Sequence, residues 1–288
     1  FIMKRLLELL TVLVLALTGI SSLAFAQEKD FDGEVVRVGV VGEESEEIWR
    51  FVAEKAKKEA GIDLQIEFFT DYVIPNEALH DGSLDINAFQ HTVFLEEWND
   101  SHDGDLTPIA YTYAAPVRIY SEKYDSVDDI PESATIGIPN APTNSAYALV
   151  TLERAGIITL DEKAGDLPTV DDIVDNPKNV DVKELDAAQI GAVLEDLDLA
   201  FIDNTFLESV DLTPEDAIYV YGDTPETINK SRVNIIAARG EDQDSPLLAK
   251  IVELYQQDDV GEVIEEVSQK GLIPAWNIME AAGETLKD

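Results

Sequence analysis

Between Val35 and Ala238 the chain repeats one beat: a short apolar, β-branched run, a turn, then a stretch with apolar residues at helical spacing. Val35 to Gly42 is the strongest instance, apolar on both faces as a buried parallel strand should be. Glu43 to Ala60 follows as a predicted helix, with acids in its first turn and Lys55, Lys57 and Lys58 near its end, matching the macrodipole. Ile48, Phe51, Val52 and Ala56 share one face, and Gly61 stops the helix. Residues 63–70 then alternate like a half-buried strand. Further strands are predicted at 84–89, 134–138, 180–185, 197–202, 218–221 and 232–238, with helices at 75–81, 91–98, 143–155, 187–194 and 246–267. An extended stretch at 106–121 is broken at Pro116. This alternation predicts an α/β chain with mainly parallel sheets flanked by helices. The strands are too many for one sheet of this length, so two lobes are expected. The stretches 106–121 and 222–240 are the expected crossings, giving one lobe from 34–116 with 240–288 and a second from 117–239.

Chemistry is constrained as much by what is missing. The 288 residues include 59 Asp and Glu against 20 Lys and Arg, a formal charge of −39. With no basic cluster to neutralise phosphates, nucleic acid is not an expected partner. The absence of cysteine excludes disulfides, thiolate metal sites and thiol nucleophiles. No Gly-x-Ser-x-Gly elbow, His-Glu-x-x-His pair or P-loop occurs. Asn99 to Gly104 opens like a calcium loop, but Ala110 stands where the bidentate Glu belongs. His80, His91 and His102 are not spaced as a metal triad, and no metal or cofactor is expected. At the N-terminus, Lys4 and Arg5, the apolar run Leu9 to Leu17 and Ala24-Phe25-Ala26 have the parts of a secretory signal peptide over residues 1–26, cleaved after Ala26. The apolar run is shorter than the ~20 residues a spanning helix needs. An exported, soluble product is expected.

Three stretches at predicted strand ends carry ligand-binding chemistry. They are Thr70 to Leu79, with Tyr72; Phe89-Gln90-His91; and Pro139 to Asn144, with Asn140. Open α/β sheets bind ligands beyond the carboxyl ends of their strands. Aromatic rings there offer an apolar wall, and amides and imidazole offer oriented hydrogen bonds.

On these same segments the chain resembles the NlpA/MetQ family of substrate-binding proteins, which feed amino acids to ABC importers. The matching residues are Val38-Gly39-Val40, Thr70 to Leu79, Leu84-Asp85-Ile86-Asn87-Ala88-Phe89-Gln90-His91, Pro139 to Asn144, Leu167 to Asn179, Val233 to Ala237 and Ile273-Pro274-Ala275-Trp276. The resemblance implies a two-lobed periplasmic-binding-protein fold, type II-like, with a small amino acid in the cleft, L-methionine first and a short peptide as a variant. It implies that Tyr72, Phe89, His91 and Phe94 line the side-chain pocket, and that Asn144 and Asn234 hold the amino and carboxylate groups. It also implies an ABC importer permease with its ATPase as partner, and a monomer.

The chain departs from the family pattern at four places. Ala26-Gln27 stands where a lipid-bearing Cys usually follows the signal, which implies a free periplasmic protein, with an extracellular or leader-tethered form as alternatives. Tyr147 occupies the place of a carboxylate-clamping Arg, Asp203 that of an Asn, and Arg118 a usually small position. The expectation is that Arg118 supplies the missing cation and Asp203 accepts from the ammonium, since a guanidinium–carboxylate pair in a dry cleft outweighs a neutral hydrogen bond. The rival is that Arg118 and Asp203 merely pair with each other, or that Arg118 is solvated. An exported sensor docking on a receptor, or an acid–base enzyme using Asp203 or His91, are the alternative functions; the fold alone does not separate them.

Overall fold

The computed structural model describes residues 30–286, so the expected leader lies outside the described residues. Strand β1 (Val35–Val41) leads to α1 (Glu43–Glu59), β2 (Asp63–Phe69), α2 (Ile74–His80), β3 (Ile86–His91), α3 (Thr92–His102), β4 (Leu106–Tyr111) and the short β5 (Tyr113–Ala114). The chain then enters a second layer with β6 (Val117–Tyr120), β7 (Thr135–Pro139), α4 (Pro142–Arg154), β8 (Thr159–Leu160), β9 (Ile173–Asp175), β10 (Asp181–Leu185), α5 (Ala187–Ile190), β11 (Leu199–Phe201) and β12 (Tyr219–Tyr221). It returns as β13 (Asn234–Arg239), followed by α6 (Pro246–Tyr255), α7 (Asp258–Val267), β14 (Ile273–Pro274) and α8 (Trp276–Ala281). The helical stretch expected over 246–267 is thus two helices, broken at 256–257. No helix among the described residues is long and apolar enough to cross a membrane.

Two five-stranded sheets result, ordered β2-β1-β3-β13-β4 and β10-β7-β11-β6-β12. Both are mixed. In the first, β1 runs parallel to β2 and β3, whereas β13 is antiparallel to β3 and β4. In the second, β7 is parallel to β10 and β11, and β6 is antiparallel to β11 and β12. In each sheet the reversed strand is the one by which the chain arrives from the other lobe, β13 between β3 and β4 and β6 between β11 and β12. This corrects one expected boundary. Asn234 to Arg239, assigned from sequence to the second lobe within 117–239, forms a strand of the first sheet, with Asn234 opposite His91.

Each lobe has its own core. Val36, Val38 and Val40 pack with Ile48, Trp49, Val52 and Tyr255 in the first. Ile119, Ile136, Ile138, Leu149, Leu152 and Leu199 fill the second. A third cluster crosses the seam, joining Val41 and Phe89 to Tyr120, Ile202 and Phe206. At Gly42, which caps α1 with φ 84°, a Cβ would lie 2.6 Å from Cγ2 of Thr205 in the other lobe. Only glycine tolerates both that dihedral and that approach.

Candidate functional site

The carboxyl ends of β3, β7 and β11 and the starts of β6 and β13 converge on one cleft between the lobes. It holds about 870 Å³ of space between atoms, part of it open to solvent. Tyr72, Phe89, His91, Phe94, Arg118, Asn144, Tyr147, Asp203 and Asn234 all line it. Asn140 does not. It is exposed and borders a separate hollow with Pro142 and Asp186. Its backbone N–H bonds to the Leu185 carbonyl (2.8 Å), so the residue still belongs to the strand end, and α4 has not yet turned the chain inward.

One wall of the cleft is aromatic. Tyr72 stacks on Phe89 (5.9 Å between centroids) and meets Phe94 edge-on (6.4 Å), and Phe89 meets Phe94 edge-on (5.9 Å). Such mutually packed rings form a rigid apolar surface suited to an aliphatic or thioether group.

Beside these rings the lining is polar and ordered. His91 caps α3, its Nδ1 accepting from the Phe94 N–H (3.1 Å). The imidazole proton therefore sits on Nε2, which donates to Oδ1 of Asn144 across the seam (3.0 Å). Burial, and then the Arg232 guanidinium 3.3 Å from Nε2, push the His91 pKa down to about 3, against the opposing Asn144 bond. With Oδ1 occupied, the Asn144 amide keeps an N–H₂ that has no protein acceptor among the described residues. Asn234, oriented so that both its amide atoms are satisfied, donates to the carbonyls of Phe89 (3.2 Å) and Gln90 (3.3 Å), and its carbonyl oxygen, with two lone pairs, can accept a further bond.

Arg232 is the functional candidate the sequence reading passed over, having counted it only as the start of a strand. Its guanidinium lies 4.2 Å over the Tyr147 ring and donates to the Thr143 carbonyl. A cation–π contact in a desolvated site holds the group flat and aimed. Burial lowers the Arg232 pKa to about 10, partly offset by Tyr147 and Asp203. The available signal was an arginine two positions before Asn234 in a chain poor in cations. Arg118, by contrast, lines the cleft with different partners. Its Nη1 reaches the Pro116 carbonyl and Oδ1 of Asn204 (both 3.4 Å), and Nε is buried without a partner. It is neither solvated nor paired with Asp203.

Asp203 faces Arg232 without forming an ion pair. Its Oδ2 accepts from the Tyr72 hydroxyl (3.3 Å), linking the lobes. Burial raises the Asp203 pKa, with the Tyr72 bond and Arg232 opposing. A buried cation and a buried acid thus share one cleft, each pushed toward its neutral form because neither has a full counter-charge.

Around this site three buried amides hold the backbone in place. Asn76, Asn87 and Gln90, all buried, close a ring of amides: Asn76 Nδ2 donates to Gln90 (2.8 Å), Gln90 Nε2 to Asn76 (2.6 Å) and Asn87 (2.9 Å), and Asn87 Nδ2 to Asn76 (2.9 Å) and the Pro75 carbonyl (3.1 Å). This ring fixes α2 against β3, and with it the placing of Tyr72, Phe89 and His91.

The NlpA lipoprotein family matches residues 36–276, almost the whole described chain. The chain belongs to that family. It is 37% identical over 270 residues to the MetQ lipoprotein of Vibrio cholerae, covering 93% of this chain and 98% of that one. It is 34% identical over 264 residues to the D-methionine-binding lipoprotein MetQ of Escherichia coli, covering 91% and 96%. Among solved structures, a nutrient-binding protein of Burkholderia cenocepacia bound to methionine superimposes with a TM-score of 0.79 at 36% identity, covering 83% of this chain and 99% of that one. The two-lobed substrate-binding fold of the NlpA lipoproteins is therefore the fold of this chain.

Proposed function

We propose that this protein is an exported, periplasmic carrier that captures a small zwitterionic amino acid, methionine first, and delivers it unchanged to an ABC importer permease and its ATPase. The observation that carries this reading is the unpaired couple Arg232 and Asp203 beside the aromatic box of Tyr72, Phe89 and Phe94. An α-amino acid supplies a carboxylate and an ammonium on one carbon and so compensates both buried charges at once. Arg232, with the Asn144 amide, takes the carboxylate; Asp203, with Asn234 Oδ1, takes the ammonium; the rings take the thioether, a contact favoured by sulfur over an aromatic edge. Arg232 thereby replaces Arg118 as the cation expected from sequence, and Tyr147 serves as its platform.

The protein works as a monomer. Closure of its lobes is the signal a permease reads, because only a ligand that touches both lobes favours the closed form. Tyr72 and His91 approach from one lobe, Asn144, Tyr147 and Asp203 from the other. No bond is made or broken. The relatives' names support the ligand class: those of the Escherichia coli and Burkholderia cenocepacia proteins carry methionine.

Thermal unfolding against L- and D-amino acids and short peptides tests the reading. A ligand present at about 100 times its dissociation constant adds roughly 2.7 kcal/mol, on the order of 5–10 °C for a chain of this size. Methionine is expected to give such a shift and glutamate none. A panel in which no amino acid moves the transition removes the proposal.

A further inference from the structure

Glu44 stands in the first turn of α1, in the first lobe, yet its carboxylate is built into the seam. Oε2 accepts from Nδ2 of Asn204 in the second lobe (2.6 Å), while Oε1 is shut off from solvent with no protein donor. Asn204 itself fills a notch in the first lobe, where a Cβ on Gly271 would overlap its Oδ1. On its far side Arg118 reaches the same Oδ1, at 3.4 Å. The seam is thus crossed by a chain of contacts, Glu44 to Asn204 to Arg118, separate from those of Arg232. Opening the lobes would break the Glu44–Asn204 bond and return the carboxylate to water.

The groups facing Glu44 do not compensate it when it is closed in. Arg118 attracts it only across Asn204, and Glu208 of the second lobe repels it. Glu208 is itself crowded by Glu43 and Glu47 of α1. Tyr113, behind α1, is buried and neutral. The N-terminus of α1 favours the anion, but burial outweighs these attractions and raises the Glu44 pKa to about 7.

We propose that ligand capture by this cleft is coupled to proton uptake at Glu44, so that the closed form is favoured as the medium turns acidic. The proposal rests on the amino-acid reading of the cleft and adds its regulation. The closed-state value lies above that of a solvated glutamate, near 4.5. Protonation therefore supports closure fully below that lower value, and the support is lost as pH rises through about 7. His91 stays neutral throughout this window and adds nothing to it.

Titration calorimetry with L-methionine at pH 6 and pH 8, on the wild type and Glu44→Gln, tests the coupling. The wild type should bind about tenfold tighter at pH 6. The glutamine variant, neutral at both pH values, should bind equally at both and at least as tightly as the wild type at pH 8. A wild-type affinity that does not change with pH, or a slope that survives in the variant, overturns the proposal. Small-angle scattering of the ligand-free protein gives an independent reading: the wild type should be more compact at pH 6 than at pH 8, and Glu44→Gln should not differ between them. Should L-methionine bind neither protein at either pH, the ligand reading fails and scattering alone decides. A compaction that the variant abolishes then supports the coupling, and no compaction overturns it.

Discussion

Arg232→Ala lowers affinity for the captured amino acid by at least about a hundredfold, roughly 3 kcal/mol, while Arg118→Ala lowers it by less than about tenfold. The difference follows from position. Arg232 lies over the Tyr147 ring and lines the cleft with His91, Asn144 and Asp203, where it is the cation a ligand carboxylate would meet. Arg118 also lines the cleft, but its guanidinium is directed at the Pro116 carbonyl and Asn204, on the way to Glu44. Removing Arg232 also leaves a bound carboxylate buried without a counter-charge, which is the costlier half of breaking such a pair. Calorimetry at one pH on both variants, with circular dichroism melts to confirm folding, measures the contrast. Equal losses, or a larger loss for Arg118→Ala, would return the carboxylate to the site first expected from sequence.

Gln90→Leu is expected to lower stability more than any change confined to the cleft wall. It keeps the volume but strips the amide ring of one member, leaving Asn76 Nδ2 without its acceptor and Asn87 Oδ1 without its donor, both in residues with no exposed surface. Two orphaned buried groups cost about 3–5 kcal/mol together, roughly 10 °C in the thermal midpoint. A shift of less than about 2 °C would mean that the ring relaxes around the loss.

These two positions also mark where the sequence was legible and where it was not. Strand β1 and helix α1 could be read directly, because a run apolar on both faces and a helix with acids first and lysines last each carry their own local cause. Tyr72, Phe89, His91 and Asn144 could be read too, since they fall at strand ends and strand ends in such sheets meet at the cleft. Asn87 and Gln90 were legible only as marks of a family. Their partner Asn76 lies on the preceding helix, and nothing local says that three amides will satisfy one another. Arg232 and Tyr147 are 85 positions apart in the numbering. They meet because the chain crosses the seam and re-enters the first sheet at Asn234, and that re-entry was placed too late in the sequence reading. Asn140 and Asn144 show the opposite difficulty. Four positions separate them, but one closes a strand facing outward and the other sits in the first turn of α4 facing the cleft.

The most direct measurement is titration calorimetry of the wild type with L-methionine and with its methyl ester, followed by mass analysis of the recovered ligand. Recognition of both charges in a closing cleft predicts one site per chain for the amino acid, an ester at least about a hundredfold weaker, and methionine recovered intact. An ester that binds as well as the acid, or a ligand returned chemically altered, would contradict the account.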